Sequence, residues 1–208
     1  MNTRDYKLSA PGEFFHVYNR GNAKENIFLD EEDFKFFLLR LKQNLIPSDD
    51  VSRHFKPLPP NSFDLVAYCL MPNHFHFLIK QNTDLPISKL MGKLCTSYGM
   101  YFNKKYRRVG HIFQDQFRQI NIDSNNYLAW LSAYIHNNPV DAGLTKKPED
   151  WGWSSYSCFI NSSSGGKFVK PQIILDQYGS GSEYEVFIAE VSNIKRASIP
   201  EDFLLDAE

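Results

Sequence analysis

The chain has 208 residues, of which 42% are hydrophobic and 15% aromatic, and its formal net charge is −1. This length and composition allow a buried core, which excludes an intrinsically disordered chain. No apolar run approaches the roughly 18 residues of a membrane-spanning helix, and the first residues lack the apolar core of a signal peptide. We therefore expect a cytoplasmic protein with one main domain, a small appendage and no membrane partner.

A strand and a helix open the predicted fold. Residues 14–18 combine aromatic and β-branched side chains, which predicts a strand, and residues 19–22 interrupt it. Residues 30–44 carry apolar side chains at helical spacing behind an acidic first turn, which predicts a helix. Residues 47–61 are rich in proline and polar side chains, and we expect them to form a loop.

A hairpin follows, and its second strand carries two histidines. Residues 62–71 predict a strand, and Pro72 and Asn73 turn the chain into a strand that contains His74 and His76, separated by one phenylalanine. Because side-chain direction repeats every two residues along a strand, both imidazoles project from the same face and could hold one metal ion. Two histidines on a strand can equally face solvent or satisfy backbone groups, so the pair alone does not decide between these interpretations.

The middle of the chain is basic, whereas its C-terminal part is acidic. Residues 80–120 hold eight Lys and Arg against two Asp, a balance of +6, and residues 141–208 hold six basic and eleven acidic residues, a balance of −5. Within the basic segment, residues 86–106 predict a long helix with one apolar face. Charged helical faces are usually only solvated, but aromatic rings between these charges could stack on bases while cations hold phosphates. The side chains that we expect to contact a DNA backbone are Lys104, Lys105, Arg107, Arg108 and Arg118.

A short strand near residues 117–122 precedes an amphipathic helix over residues 126–140. Ser124 is the expected N-cap of this helix, and a proline near its end discourages further helical turns. Tyr134 and Asn138 lie on one stripe, one turn apart, or roughly 5 to 6 Å along the helix axis. A tyrosine on such a stripe is usually a core aromatic with its hydroxyl hydrogen-bonded. Whether Tyr134 has a functional role therefore depends on which residues it packs against, and the histidine pair is the candidate.

Two further histidines are excluded from the candidate metal site. His136 follows Tyr134 by two positions, about 200° around the helix, so it should point away from the stripe that carries Tyr134 and Asn138. His111 falls in a predicted loop, where a surface position is the natural expectation.

A His-hydrophobic-His strand followed by Tyr-Ile-x-x-Asn-Pro-Val on a helix resembles the single-tyrosine HUH transposases of the insertion-sequence 200 type. Within that family, the chain looks closest to the REP-associated tyrosine transposases. The resemblance covers about residues 12–160 and includes the blocks at residues 98–103 and 110–114. Strands interleaved with helices already suggest an α+β sandwich. The resemblance implies a ferredoxin-like sandwich, with an antiparallel sheet and helices packed on one face.

These residue types suit phosphodiester chemistry. A phosphodiester is cleaved when an oxygen attacks phosphorus in line while a cation polarises a non-bridging oxygen. His74 and His76 would supply nitrogen ligands and Asn138 an amide oxygen, a set that suits Mg²⁺ or Mn²⁺. Tyr134 would be the nucleophile and form a 5'-phosphotyrosine. The resemblance implies a single-strand DNA endonuclease and strand transferase that acts on DNA with REP-like hairpins.

Departures from the family pattern bear on DNA recognition and on assembly. Many relatives have a basic residue where this chain has Asp115 or Gln116, which predicts a different recognition of hairpins. The short, mobile relatives hold glutamine where Asn138 lies, which favours the REP-associated branch. Members of that branch need not pair, so both a monomer and a homodimer remain open.

Two other functions compete with a transposase. A ferredoxin-like sheet with aromatic and basic residues also describes nucleic-acid-binding modules, so a non-catalytic binder or a domesticated transposase that binds DNA hairpins is the alternative. A zinc hydrolase built on the histidine pair is less favoured, because no third His, Cys or acidic ligand has suitable spacing.

We expect two parts in the chain. Residues 1–160 would form the catalytic domain, and residues 161–208 a linker and a short C-terminal helical extension. The Ser- and Gly-rich run at residues 161–166 is the predicted linker, and short helices are expected at residues 171–178 and 183–191.

Overall fold

A four-stranded antiparallel sheet organises the fold. The computed structural model describes residues 10–46, 56–161 and 168–192. The strands are β1 (Phe14–Arg20), β2 (Phe63–Met71), β3 (His74–Gln81) and β4 (Arg118–Ile122). The α-helices are α1 (Glu31–Leu45), α2 (Ile87–Tyr106), α3 (Asn125–Asp141), α4 (Tyr156–Ile160), α5 (Gln172–Leu175) and α6 (Gly181–Ser192). Among these described helices, none is both long and apolar enough to cross a membrane.

The connections between the strands follow the ferredoxin-like path. The strand order is β2-β3-β1-β4, and every neighbouring pair is antiparallel. Helix α1 connects β1 to β2, and α2 connects β3 to β4. The predicted α+β class and antiparallel sheet are confirmed, and the ends of the predicted strands and long helices lie within about two residues of the observed ones. Residues 47–55 of the predicted loop and residues 162–166 of the predicted linker lie outside the described residues.

Helix α1 begins at a reciprocal cap and packs through aromatic side chains. The Asp30 carboxylate accepts from the backbone N–H of Asp33, and the Asp33 side chain accepts from the backbone N–H of Asp30. One turn further on, the buried ring of Phe37 lies 5.2 Å from the ring of Phe75 on β3 and 4.9 Å from that of Tyr98 on α2. These contacts place α1 and α2 together on the sheet face that carries Phe75.

Helix α3 covers the opposite face of the sheet. Because side chains alternate along β3, His74 and His76 point away from the face that Phe75 occupies. Tyr134 and Asn138 of α3 contact these histidines. The prediction of helices on one face is therefore right for α1 and α2 and needs correction for α3. The physical reason is that nearly every residue of β3 is buried, so both faces of the sheet must be covered.

The C-terminal helix α6 packs on the outer side of α3. The phenol of Tyr184 is fully buried, lies 2.8 Å from His136 Nδ1, and donates to Ser132 Oγ at 3.0 Å. The Asn137 side chain donates to the backbone carbonyl of Ile188 at 3.1 Å. The two predicted C-terminal helices are thus present as α5 and α6, and α6 supports α3 instead of extending away from it.

Candidate nucleophile and metal site

The turn between β2 and β3 fixes the start of the histidine strand. Pro72 and Asn73 form this turn, and its backbone carbonyls accept hydrogen bonds from the segment between β1 and α1. The Pro72 carbonyl accepts from the N–H groups of Ile27 and Phe28 at 2.8 and 3.0 Å, and the Asn73 carbonyl accepts from that of Gly21 at 2.7 Å. These bonds hold the backbone rigidly directly before the first histidine.

Asn138 lies between the two histidines. Its Oδ1 is 3.2 Å from His74 Nε2, and its Nδ2 is 3.4 Å from His76 Nε2. All three side chains are buried, with at most 3% of their surface exposed. The structure therefore brings together the two ring nitrogens and the amide that the sequence suggested as ligands.

The far nitrogen of each imidazole also has a partner. His74 Nδ1 lies 2.6 Å from Asn73 Oδ1, and His76 Nδ1 lies 2.9 Å from Nε2 of His16 on β1. A carbonyl oxygen cannot donate, so Asn73 holds a proton on Nδ1 of His74. In a neutral ring, this leaves the Nε2 lone pair of His74 directed at Asn138.

Burial keeps two of the rings neutral. It lowers the pKa of His76 well below the usual value, and the neighbouring His74 and His16 lower it further. Burial also lowers the pKa of His16 to about 3. Neutral imidazole is the form that binds metals, so His76 is available as a ligand across the neutral pH range.

Tyr134 packs directly against this histidine pair. Its ring is perpendicular to that of His76, at 82°, with 5.8 Å between the ring centroids. On its other side the ring stacks on Trp130 at 5.6 Å, and Trp130 in turn stacks on Tyr127 at 5.9 Å. The side chain is only 3% exposed, but it lies beside the imidazoles and not elsewhere in the core.

The donor set fits a cation that accepts mixed nitrogen and oxygen ligands. Within the described residues, no cluster of three His, Cys, Asp or Glu side chains could hold a metal, so a site here depends on the amide of Asn138. When both Nε2 atoms carry lone pairs, they and the amide oxygen bring three acceptors together, and a cation would relieve their repulsion. Two imidazoles and one amide suit Mg²⁺ or Mn²⁺ better than a structural zinc ion.

The predicted DNA contacts lie in different parts of the fold. Arg118 is exposed on β4 opposite Tyr18, which itself lies opposite His76, so Arg118 shares the face of the histidines. Lys104 and Arg107 are exposed at the C-terminal end of α2, which packs on the other face.

Two of the predicted DNA contacts are engaged within the protein. The Lys105 ammonium lies 2.7, 3.3 and 2.9 Å from carboxylate oxygens of Asp30, Glu32 and Asp33. These carboxylates neutralise the cation where α1 begins, which argues against the predicted contact of Lys105 with a DNA backbone, and that contact stays a prediction. Arg108 forms an ion pair of 3.2 Å with Glu25.

Both excluded histidines lie where they were expected. His136 points away from the Tyr134 stripe and is buried, with Nδ1 at 2.8 Å from the Tyr184 hydroxyl and Nε2 at 2.8 Å from Ser155 Oγ. His111 is exposed in a loop. His16 was not among the predicted site residues, although its place between apolar strand residues was a signal that this polar ring would be buried with a partner.

Known proteins resemble this chain in sequence and in fold. The profile of the IS200-like transposases matches residues 58–138, which include both histidines, Tyr134 and Asn138. A Haemophilus influenzae protein named for an inferred role as a REP-associated tyrosine transposase is 26% identical over 136 residues, covering 60% of this chain and 71% of that protein.

The fold is also similar to that of a solved transposase structure. A solved structure of a REP-associated tyrosine transposase bound to a REP hairpin has a TM-score of 0.57 and 17% identity, and covers 77% of this chain and 86% of that one. At this identity the likeness concerns the fold alone. Together with the sequence matches, it confirms the predicted resemblance of this chain to the IS200-like transposases and, among them, to the REP-associated tyrosine transposases.

Proposed function

We propose that this protein is a transposase-like strand transferase that nicks and rejoins single-stranded DNA through Tyr134. The observation that carries the proposal is the meeting of α3 with β3, where Tyr134 packs on His76 and Asn138 bridges His76 and His74. A tyrosine that served only the hydrophobic core would need no histidine pair beside it. A non-catalytic DNA-binding module would need neither the buried tyrosine nor the histidine pair.

Tyr134 would act as the nucleophile. Its phenol oxygen attacks the phosphorus of one phosphodiester, releases its proton to solvent, and becomes bonded to the 5' phosphate of the cut strand. The bond from phosphorus to the 3' oxygen breaks, and that oxygen takes up a proton as a free 3'-hydroxyl. One phosphate ester replaces another, so a 3'-hydroxyl can reverse the step and rejoin DNA without ATP.

The proposed cation site consists of His74, His76 and Asn138. A Mg²⁺ or Mn²⁺ ion held there would polarise a non-bridging oxygen of the scissile phosphate. The residues themselves provide two imidazoles and an amide on rigid elements, which keeps the donor atoms in place before DNA binds.

The proposed substrate is single-stranded DNA that carries a hairpin of the REP type. The related fold whose solved structure is bound to a REP hairpin supports this choice, as does the name of the Haemophilus influenzae relative. Arg118 would hold a phosphate on the histidine face, while Lys104 and Arg107 lie farther away, where they would contact a more distant part of the DNA.

The test is a covalent adduct between protein and DNA. Wild-type protein, incubated with hairpin-bearing single-stranded DNA and Mn²⁺, should give a shifted band on a denaturing gel. Tyr134→Phe should lose this band completely, because no other oxygen replaces the nucleophile. Tyr127→Phe is the matched control, since it removes a phenol two turns earlier on the same helix, and it should still form the adduct.

Two results would contradict the proposal. An adduct formed by Tyr134→Phe would show that another residue is the nucleophile. Tight hairpin binding by wild type without an adduct on any tested strand would indicate the non-catalytic or domesticated alternative instead.

A further inference from the structure

His16 is a buried histidine on β1 that lies outside the family motifs. Its side chain has no exposed surface, and its Nε2 lies 2.9 Å from Nδ1 of His76. The two rings are nearly parallel, at 16°, with centroids 5.1 Å apart. A polar ring in this position needs a reason, because apolar side chains of the same size would fill the space without a desolvation cost.

The contact with His76 is the only hydrogen bond of this ring among the described residues. The backbone partners of His16 in the sheet are the apolar residues Leu78 and Ile120, and its own Nδ1 has no hydrogen-bond partner within the described chain. A buried polar atom without a partner costs stability. Any benefit of this ring must therefore come through its hydrogen bond to His76.

The proton between these rings determines what His76 offers to Asn138. If the proton lies on Nδ1 of His76 and is donated to His16, the Nε2 lone pair of His76 faces the amide. If His16 carries the proton on Nε2 and donates it, His76 must carry its own proton on Nε2, which blocks a metal there. His74 has the same arrangement, since the Asn73 oxygen holds its proton on Nδ1.

We propose that His16 is a positioning residue that accepts a hydrogen bond from the Nδ1–H of His76 and so keeps the Nε2 lone pair of His76 directed at the cation site. This inference rests on the proposed metal site. His16 does not touch the cation or the DNA; it sets the tautomer and the ring orientation of a residue that does.

The test compares two substitutions by Mn²⁺ binding without DNA. His16→Phe fills the same space but accepts no hydrogen bond, whereas the amide oxygen of His16→Gln can accept one near the position of the original Nε2. Electron paramagnetic resonance titration should give an affinity about 10- to 100-fold weaker for His16→Phe and within a few-fold of wild type for His16→Gln. Val17→Ala is the matched control, because it weakens the same strand on the opposite face and should leave the affinity unchanged.

The outcomes separate this inference from the proposed function. Wild-type affinity in a folded His16→Phe protein, or an equal loss in both His16 variants, would overturn the positioning role while leaving the metal site intact. His74→Ala supplies the second reference. If it bound Mn²⁺ as wild type does, the metal site itself would be refuted and the role of His16 with it.

Discussion

Two cations of the basic segment stand in opposite situations. Arg118 is exposed on the histidine face and forms no ion pair within the described residues. Lys105 instead lies among three carboxylates, and one of them, Asp33, has no exposed surface. The same charge is therefore left for the proposed DNA contact at one position, whereas at the other it joins α1 to α2.

We expect the two cations to respond differently to neutralisation. Arg118→Gln should weaken single-stranded DNA binding and lower the slope of log affinity against log salt by about 0.7, because one phosphate contact is lost. Lys105→Gln should keep that slope but lower the free energy of unfolding by about 2 kcal/mol, since Asp33 stays buried without its cation. Fluorescence anisotropy over a salt series and urea unfolding measure the two effects. A reduced slope for Lys105→Gln, in folded protein, would restore it as a DNA contact.

The placement of the candidate site residues on one strand face and one helix stripe was the easiest part to predict. Alternation along a strand was enough to put His74 and His76 on one face, and helical spacing was enough to align Tyr134 with Asn138. Their meeting followed from the family resemblance, not from either pattern. The ion pairs of Lys105 were not predictable, because a charge count cannot tell which carboxylates a folded chain brings near.

At the scale of elements, a series of buried hydrogen bonds fixes the side of α3 that faces away from Tyr134. His136 connects the phenol of Tyr184 on α6 to Ser155, and the backbone N–H of Tyr68 on β2 donates to Ser155 Oγ at 2.8 Å. The helix that carries Tyr134 is thus tied both to α6 and to the sheet.

The buried imidazole of His136 should make the fold sensitive to acid. Burial lowers its pKa to about 3, whereas an unfolded histidine titrates near 6.5. Its contribution to stability is therefore complete above about pH 6.5 and is lost progressively as the pH falls toward 3, by up to about 1.4 kcal/mol per pH unit. His136→Gln should unfold in urea with a shallower dependence on pH between 6.5 and 4. His111→Gln, at an exposed histidine, should retain the wild-type slope, and parallel curves for His136→Gln and wild type would contradict the role of burial.

At the scale of elements, the order of the strands in the sheet could not be predicted from periodicity. Periodicity identified the strands and long helices, but it did not indicate that β1 lies between β3 and β4. That pairing is what brings His16 to His76. The packing of α6 on α3 was equally hidden, because the contacts of a short amphipathic helix depend on the surface that it meets.

At the scale of the whole molecule, one chain supplies every group of the candidate site. Tyr134 and Asn138 pack on the histidines of their own sheet, so α3 need not be exchanged with a second copy. This arrangement leaves the oligomeric state open but predicts that each protomer acts alone.

Mixing two inactive variants tests this independence. Tyr134→Phe keeps the histidines, and His76→Ala keeps the tyrosine. If α3 serves its own sheet, an equimolar mixture of the two proteins should form no covalent adduct above the level of either alone. An adduct that appears only in the mixture would mean that helices are exchanged between subunits.

The near-complete cover over Tyr134 has a mechanical consequence. Tyr134, His74, His76 and Asn138 each expose at most 3% of their surface, so a phosphate group cannot slip between α3 and β3 as they stand. If Tyr134 is the nucleophile, side chains around it must move aside before a phosphate can reach its hydroxyl, and contacts made elsewhere along the DNA strand would supply the free energy for that movement. A phosphodiester that lacks those distant contacts would not reach Tyr134, so the proposed activity would select its substrate before any bond is broken.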